Sequence, residues 1–145
     1  MERLSRNYHK RLQEMCDCYL ETDFQNELAT MISHKSADLE EAAIKYLGLA
    51  IMYAITEKAT KLSFKRKGEG ATGVTVKAEK KIELPAPPED LAEEIVAIMR
   101  AITHIEVDEG ETPLALGLRS GELELQVKVK KEEGKESLKL SFPEL

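Results

Sequence analysis

Apolar residues recur along this chain with two different periods. In residues 2–21, Leu4, Tyr8, Leu12, Met15 and Tyr19 fall at steps of three and four. That spacing predicts one apolar helical face, with Arg, Lys, Gln and Glu around the rest. Thr22 or Asp23 can cap a second, shorter helix carrying Phe24, Leu28 and Ile32. The stretch 34–36 ends it. Asp38 and Glu41 have the spacing of a capping box and open a third helix that runs to about Lys58. Its middle, AAIKYLGLAIMYAI, is apolar on nearly every side, which predicts a helix buried on most sides.

The period then changes to two. Leu62 and Phe64 alternate with Lys61, Ser63 and Lys65, and Val74, Val76 and Ala78 alternate with Thr75, Lys77 and Glu79. The turn-rich segment KGEGATG at 67–73 separates them, so the pair reads as a hairpin. Its second strand is expected to continue through Ile82 and Leu84 until Pro85, Pro87 and Pro88 end it. Pro88 suits the first position of a helix, with Glu89 and Asp90 in the first turn, where the helix dipole favours anions. Leu91, Ile95, Ile98, Met99 and Ile102 mark its apolar face. After His104, alternation resumes at Leu114, Leu116 and Leu118, at Leu123, Leu125, Val127 and Val129, and at Leu138, Leu140 and Phe142. Turns at 119–121 and 132–135 divide these strands. Strands with one apolar and one charged face are antiparallel strands with one face open to solvent or to a partner. The order predicts an α+β two-layer sandwich: a mainly antiparallel sheet of about five strands with helices on one face. The expected division is an N-terminal helical extension over 1–36 and an α+β domain over 37–145.

At 145 residues the chain is one domain's worth of sequence. A net charge of −6, no Trp and 5% aromatic residues argue against nucleic-acid binding, which needs a basic footprint or stacking side chains. The most apolar run, 42–55, is interrupted by Lys45 and is shorter than a bilayer span. No signal-peptide core opens the sequence, so the expected location is the cytoplasm, with no membrane insertion. The only cysteines, Cys16 and Cys18, are spaced C-x-C. On a helix their side chains diverge by about 200°, which suits two reduced thiols rather than a shared metal or a disulfide.

Candidate chemistry is sparse. Gly68, Gly70 and Gly73 spell G-x-G-x-x-G, but a strand follows them where a dinucleotide site needs a helix. No P-loop sequence is present. Asp108, Glu109 and Glu111 cluster without the pattern of a calcium loop. His104 has no sequence neighbour that makes a nucleophile–base pair. No catalytic residue, cofactor or metal site is expected, and the chain is read as not an enzyme. Charge is unevenly placed, however. Residues 61–81 carry Lys61, Lys65, Arg66, Lys67, Lys77, Lys80 and Lys81 against Glu69 and Glu79, while 89–111 carry acids against Arg100 alone. A basic hairpin on an acidic protein is a candidate docking surface for an acidic protein partner, with Lys65, Arg66, Lys67, Lys77, Lys80 and Lys81 as its residues. The all-round apolar helix supplies the argument for a homodimer through Tyr46, Leu49, Met52 and Tyr53, because a twofold contact would cover its spare face. Packing against the N-terminal helices of the same chain is the competing arrangement.

From Leu39 to Phe142 the chain resembles the N-terminal domain that precedes the motor in type II secretion and type IV pilus assembly ATPases. The carrying features are a helix leading into ATKLSF at 59–64, a hairpin closing in IELP at 82–85, a helix ending in IMRAI at 98–102, ETPLALG at 111–117 and the final paired strands. Lys61, Ser63 and Lys65 stand where that family has acidic and His residues, and the motor domain with its P-loop is absent. The resemblance implies a stand-alone relative of a non-catalytic regulatory or docking domain, an accessory to a secretion or pilus apparatus. The alternative function is a regulator that binds a small ligand or metal through the Gly68–Gly73 loop or Cys16 and Cys18.

Overall fold

Alternation in the strands is satisfied by a single six-stranded sheet. A computed structural model describes residues 7–18, 23–33, 38–67, 72–118 and 121–143. Its elements are α1 (Tyr8–Cys18), α2 (Phe24–Ser33), α3 (Leu39–Thr56), β1 (Lys61–Lys67), β2 (Thr72–Lys77), β3 (Lys81–Leu84), α4 (Glu89–Thr103), β4 (Glu109–Leu118), β5 (Gly121–Glu132) and β6 (Lys135–Ser141). The sheet order is β3-β2-β1-β6-β5-β4, and every pairing is antiparallel. The fold is α+β, as the sequence pattern predicts, with six strands rather than five. Leu4, Tyr19, Gly68 and Gly70 lie outside the described residues, as do the side chains of Cys18 and Lys67.

The extra strand arises where the second strand of the first hairpin was expected to run straight on. The chain instead turns at Ala78–Lys80, closed by Ala78 N–H donating to the Lys80 carbonyl at 3.1 Å. Val76 then faces Ile82, and Val74 faces Leu84. No Gly, Pro or Asn marks this turn, and all four apolar residues are even-numbered, so the alternation passes through it without a change of phase.

The first hairpin meets the last one through β1 and β6, with Leu62 opposite Leu140 and Phe64 opposite Leu138. These side chains join Val74, Val76, Leu125, Val127 and Val129 on one face of the sheet, buried against the helices. Burying each such side chain contributes roughly 1.5–3 kcal/mol.

Helix α3 lies at the centre of the helical layer. Asp38 caps it, its carboxylate accepting from Glu41 N–H at 3.1 Å. Beneath it, Tyr46 stacks edge-on against Phe64 and donates its hydroxyl to the Pro85 carbonyl at 2.6 Å. Helix α4 packs along it with Leu91, Ile95, Ile98 and Met99 buried. Helices α1 and α2 cover the rest. Tyr8, Leu12, Cys16, Phe24 and Leu28 belong to the same core as the sheet. A polar seam reinforces the contact between α1 and α3: Tyr8 donates to Glu40 at 2.8 Å, and Arg11 pairs with Glu40 and Glu41 at 2.9 and 3.1 Å. Gly48 of α3 makes the close approach possible, since a Cβ there would stand 2.9 Å from Met15 Cγ and 3.4 Å from the Cys16 nitrogen.

Tyr46, Leu49 and Met52 are therefore buried inside the single chain, and half-buried Tyr53 is edge-on to Phe24 and accepts from Gln25. The α3 face that supplied the argument for a homodimer is covered by α1 and α2 of the same chain, so that argument does not carry over.

Helix α1 also guards the outer edge of β4. His9 Nε2 lies 2.6 Å from the Ala115 carbonyl, and the Gly117 N–H donates to Gln13 Oε1 at 2.6 Å. Spaced four apart on one helical face, His9 and Gln13 thus occupy edge groups that are otherwise free to pair with another strand. Pro113, which has no N–H, blunts the same edge.

The docking of α1 makes a signed prediction at Gly48. On an uncovered helix, Gly48→Leu gains helix propensity of somewhat under ~1 kcal/mol. Against α1, the leucine overpacks the contact at a cost of about 1–3 kcal/mol. Urea unfolding of Gly48→Leu should give a net loss of stability, and a gain would mean that α1 does not rest there.

Candidate functional site

Strand alternation that buries the even positions of β1, β2 and β6 turns their odd positions to the other face, against which no helix packs among the described residues. Lysine dominates that face. Lys61 lies opposite Lys77, which lies opposite Lys81 on β3. Beyond β1, Lys139 lies opposite Lys128, and Lys130 lies opposite Ser137. Lys65 lies between Gly73 and Ser137. Serine and threonine fill the intervening positions, at Ser63, Thr75, Ser137 and Ser141.

Of the residues expected from sequence, Lys65, Lys77 and Lys81 stand on this open face, and Lys80 is exposed in the β2–β3 turn. Arg66 does not join them. It falls on the even phase, toward the helices, where its guanidinium holds Glu136 at 3.2 Å and Glu93 of α4 at 3.1 Å. Arg100 reaches the same Glu136 at 3.6 Å and donates to the carbonyls of Ile105, Val107 and Asp108. Arg66 thus ties the sheet to α4.

The face gains Lys61, Lys128, Lys130 and Lys139, and the last three come from a part of the chain that no local charge count selects. Glu122, Glu124, Glu132, Glu133 and Glu136 offset them in sequence. The available signal was phase: Lys128 and Lys130 alternate with Val127 and Val129, and Lys139 lies between Leu138 and Leu140.

Carboxylates frame the lysines rather than mixing with them. Glu83 lies at one edge opposite Thr75, and Glu109 and Glu111 lie at the other, opposite Lys130 and Lys128. Lys130 also pairs with Glu132 at 2.8 Å, which raises the lysine's pKa and lowers that of the glutamate. The loop cluster expected from sequence is therefore divided. Glu109 and Glu111 belong to the rim of the lysine face, while Asp108 offers its carbonyl to Arg100 and to Lys131 N–H.

The other candidates do not converge on a reactive centre. His104 is exposed and ends α4 in the left-handed conformation. Gly73 lies inside β2, with open space around its Cα. Among the described residues, no three His, Cys, Asp or Glu side chains are grouped to hold a metal. Cys16 is fully buried against α3, and burial, aided by Asp17, pushes its thiol up to about 12. Among the described residues, no helix is long and apolar enough to cross a membrane. No protein-family model matches the chain, and no curated protein matches it.

Because only the thiolate is nucleophilic, Cys16 should resist alkylation in the folded protein. In a Cys18→Ser variant it is the sole thiol. Iodoacetamide at pH 8 should leave the native variant unmodified and label it fully in denaturant. Rapid native labelling would place Cys16 at the surface.

Proposed function

We propose that this chain is a non-catalytic docking module that binds an acidic protein partner through the open face of its sheet. The observation that carries the reading is the meeting of two hairpins, distant in sequence, whose lysines share one uncovered face. Like charges opposite one another on a sheet are destabilising, so their accumulation here costs the isolated domain stability. Opposing carboxylates on a partner offset that cost and orient the encounter. The rim of Glu83, Glu109, Glu111 and Glu132 gives the surface a boundary, which favours a partner with a matched patch over an extended polyanion. The resemblance of 39–142 to the pre-motor domain of secretion and pilus ATPases supports the same class of role, docking.

A simple acidic surrogate tests the charge logic. Labelled polyglutamate should bind the protein at low ionic strength and dissociate as salt screens the face. The double variant Lys61→Glu, Lys128→Glu should lose most of that binding while keeping its melting temperature within a few degrees. A labelled single-stranded DNA should bind more weakly than polyglutamate. Equal polyglutamate binding by the variant, or tighter binding of DNA, would overturn the reading.

A further inference from the structure

Lys139 occupies an unusual place on the open face. The register puts Lys128 directly opposite it, Lys130 on one diagonal, and Lys61 and Lys65 on the diagonals across β1. Its remaining neighbours on that face are Ser63, Gln126, Ser137 and Ser141. All eight surrounding positions are therefore cationic or neutral, and none carries a carboxylate. Among the described residues, Lys139 makes no ion pair. The side chain is half-buried, as is that of Lys61, whereas Lys65, Lys128 and Lys130 are exposed. Toward the β5–β6 turn, Lys65, Lys130, Lys135, Ser137 and Lys139 line a shallow cavity of about 210 Å³ together with Arg66, Glu132 and Glu136.

A lysine ringed by lysines is a position that sheets avoid. Burial, reinforced by Lys65, Lys61, Lys128 and Lys130, pulls its pKa below the usual lysine value. A bound anion relieves both penalties at once. One carboxylate meets only part of this charge, whereas a polyvalent oxyanion can address several ammonium groups and take hydrogen bonds from the serine hydroxyls between them. The bordering glutamates restrict the ligand's size, because an extended chain of phosphates leaving the centre runs onto Glu83, Glu109, Glu111 or Glu132.

We propose that the centre of the lysine face is a binding site for a small, free, polyvalent phosphate-type anion, with Lys139 as its central ligand and Lys65, Lys128 and Lys130 around it. The site rests on the same open face as the docking reading, and it makes that docking competitive: an anion held at the centre neutralises the charge that a partner's carboxylates would meet.

Calorimetric titration of the full chain with inorganic pyrophosphate tests this directly. One pyrophosphate should bind per chain and raise the melting temperature. Lys139→Gln should weaken binding by at least about tenfold, equivalent to ~1.4 kcal/mol, and abolish the thermal shift. Without ligand, the same variant should melt no lower than wild type, because it removes a repulsive centre. Lys81→Gln, on the edge strand outside the ring, should change pyrophosphate affinity by less than about threefold, ~0.65 kcal/mol. Absence of pyrophosphate binding, or equal weakening by the two variants, would overturn the site. If polyglutamate still binds and still depends on Lys61 and Lys128, the docking reading survives that result. If polyglutamate also fails, both fall.

Discussion

The pairing of β1 with β6 is the contact on which the rest of the molecule depends. It joins two hairpins that are separated in sequence by β3, α4 and β4, and it lies at the middle of the sheet. Its register brings Leu62 to Leu140 and Phe64 to Leu138, which makes one continuous apolar floor for α3. A slip of one residue would turn the apolar set outward and the lysines inward. The same register gathers Lys61 and Lys65 beside Lys139 and, through β5, beside Lys128 and Lys130. Core and candidate site are therefore two faces of one strand alignment, and neither can be altered without the other.

Covering that floor sets the order of the helical layer. Helix α3 is apolar on most sides because it has neighbours on most sides: the sheet below, and α1, α2 and α4 packed around it. Gly48 permits the approach of α1, and Glu40 and Glu41 anchor Arg11 and Tyr8 at its beginning. Helix α1 then extends past α3 to the β4 edge, where His9 and Gln13 meet Ala115 and Gly117. One helix thus completes the core and closes an edge that could otherwise pair with another strand.

Much of this was legible in the residues. The change from a period near 3.6 to a period of two separates helices from strands, and the Asp38 cap and the alternation in 61–65, 123–129 and 138–142 all hold in the structure. What was not legible has physical reasons. The β2–β3 turn carries no turn residue and preserves the phase, so it left no trace in the pattern. An apolar surface all round α3 states how much must be covered but not by which chain, and for that reason a dimer was expected where the N-terminal helices of the same chain supply the cover. Alternation assigns each side chain to a face without saying which strands adjoin. The site was accordingly half visible: Lys65, Lys77 and Lys81 could be read from a local charge excess, whereas Lys128, Lys130 and Lys139 required the β1–β6 neighbourhood. Arg66 was grouped with the lysines because composition counts a guanidinium without its phase, whereas its even position turns it toward Glu93 and Glu136.

The joining of the two hairpins into one lysine face is most directly tested by short-range amine cross-linking, with the linked peptides of the monomeric fraction mapped by mass spectrometry. Links between Lys61 or Lys65 of the first hairpin and Lys128, Lys130 or Lys139 of the last are expected, since the register places these side chains within three consecutive strands, β1, β6 and β5, and on one face. Links confined to each hairpin separately, with none between the two sets, would contradict the β1–β6 pairing and the candidate site built on it.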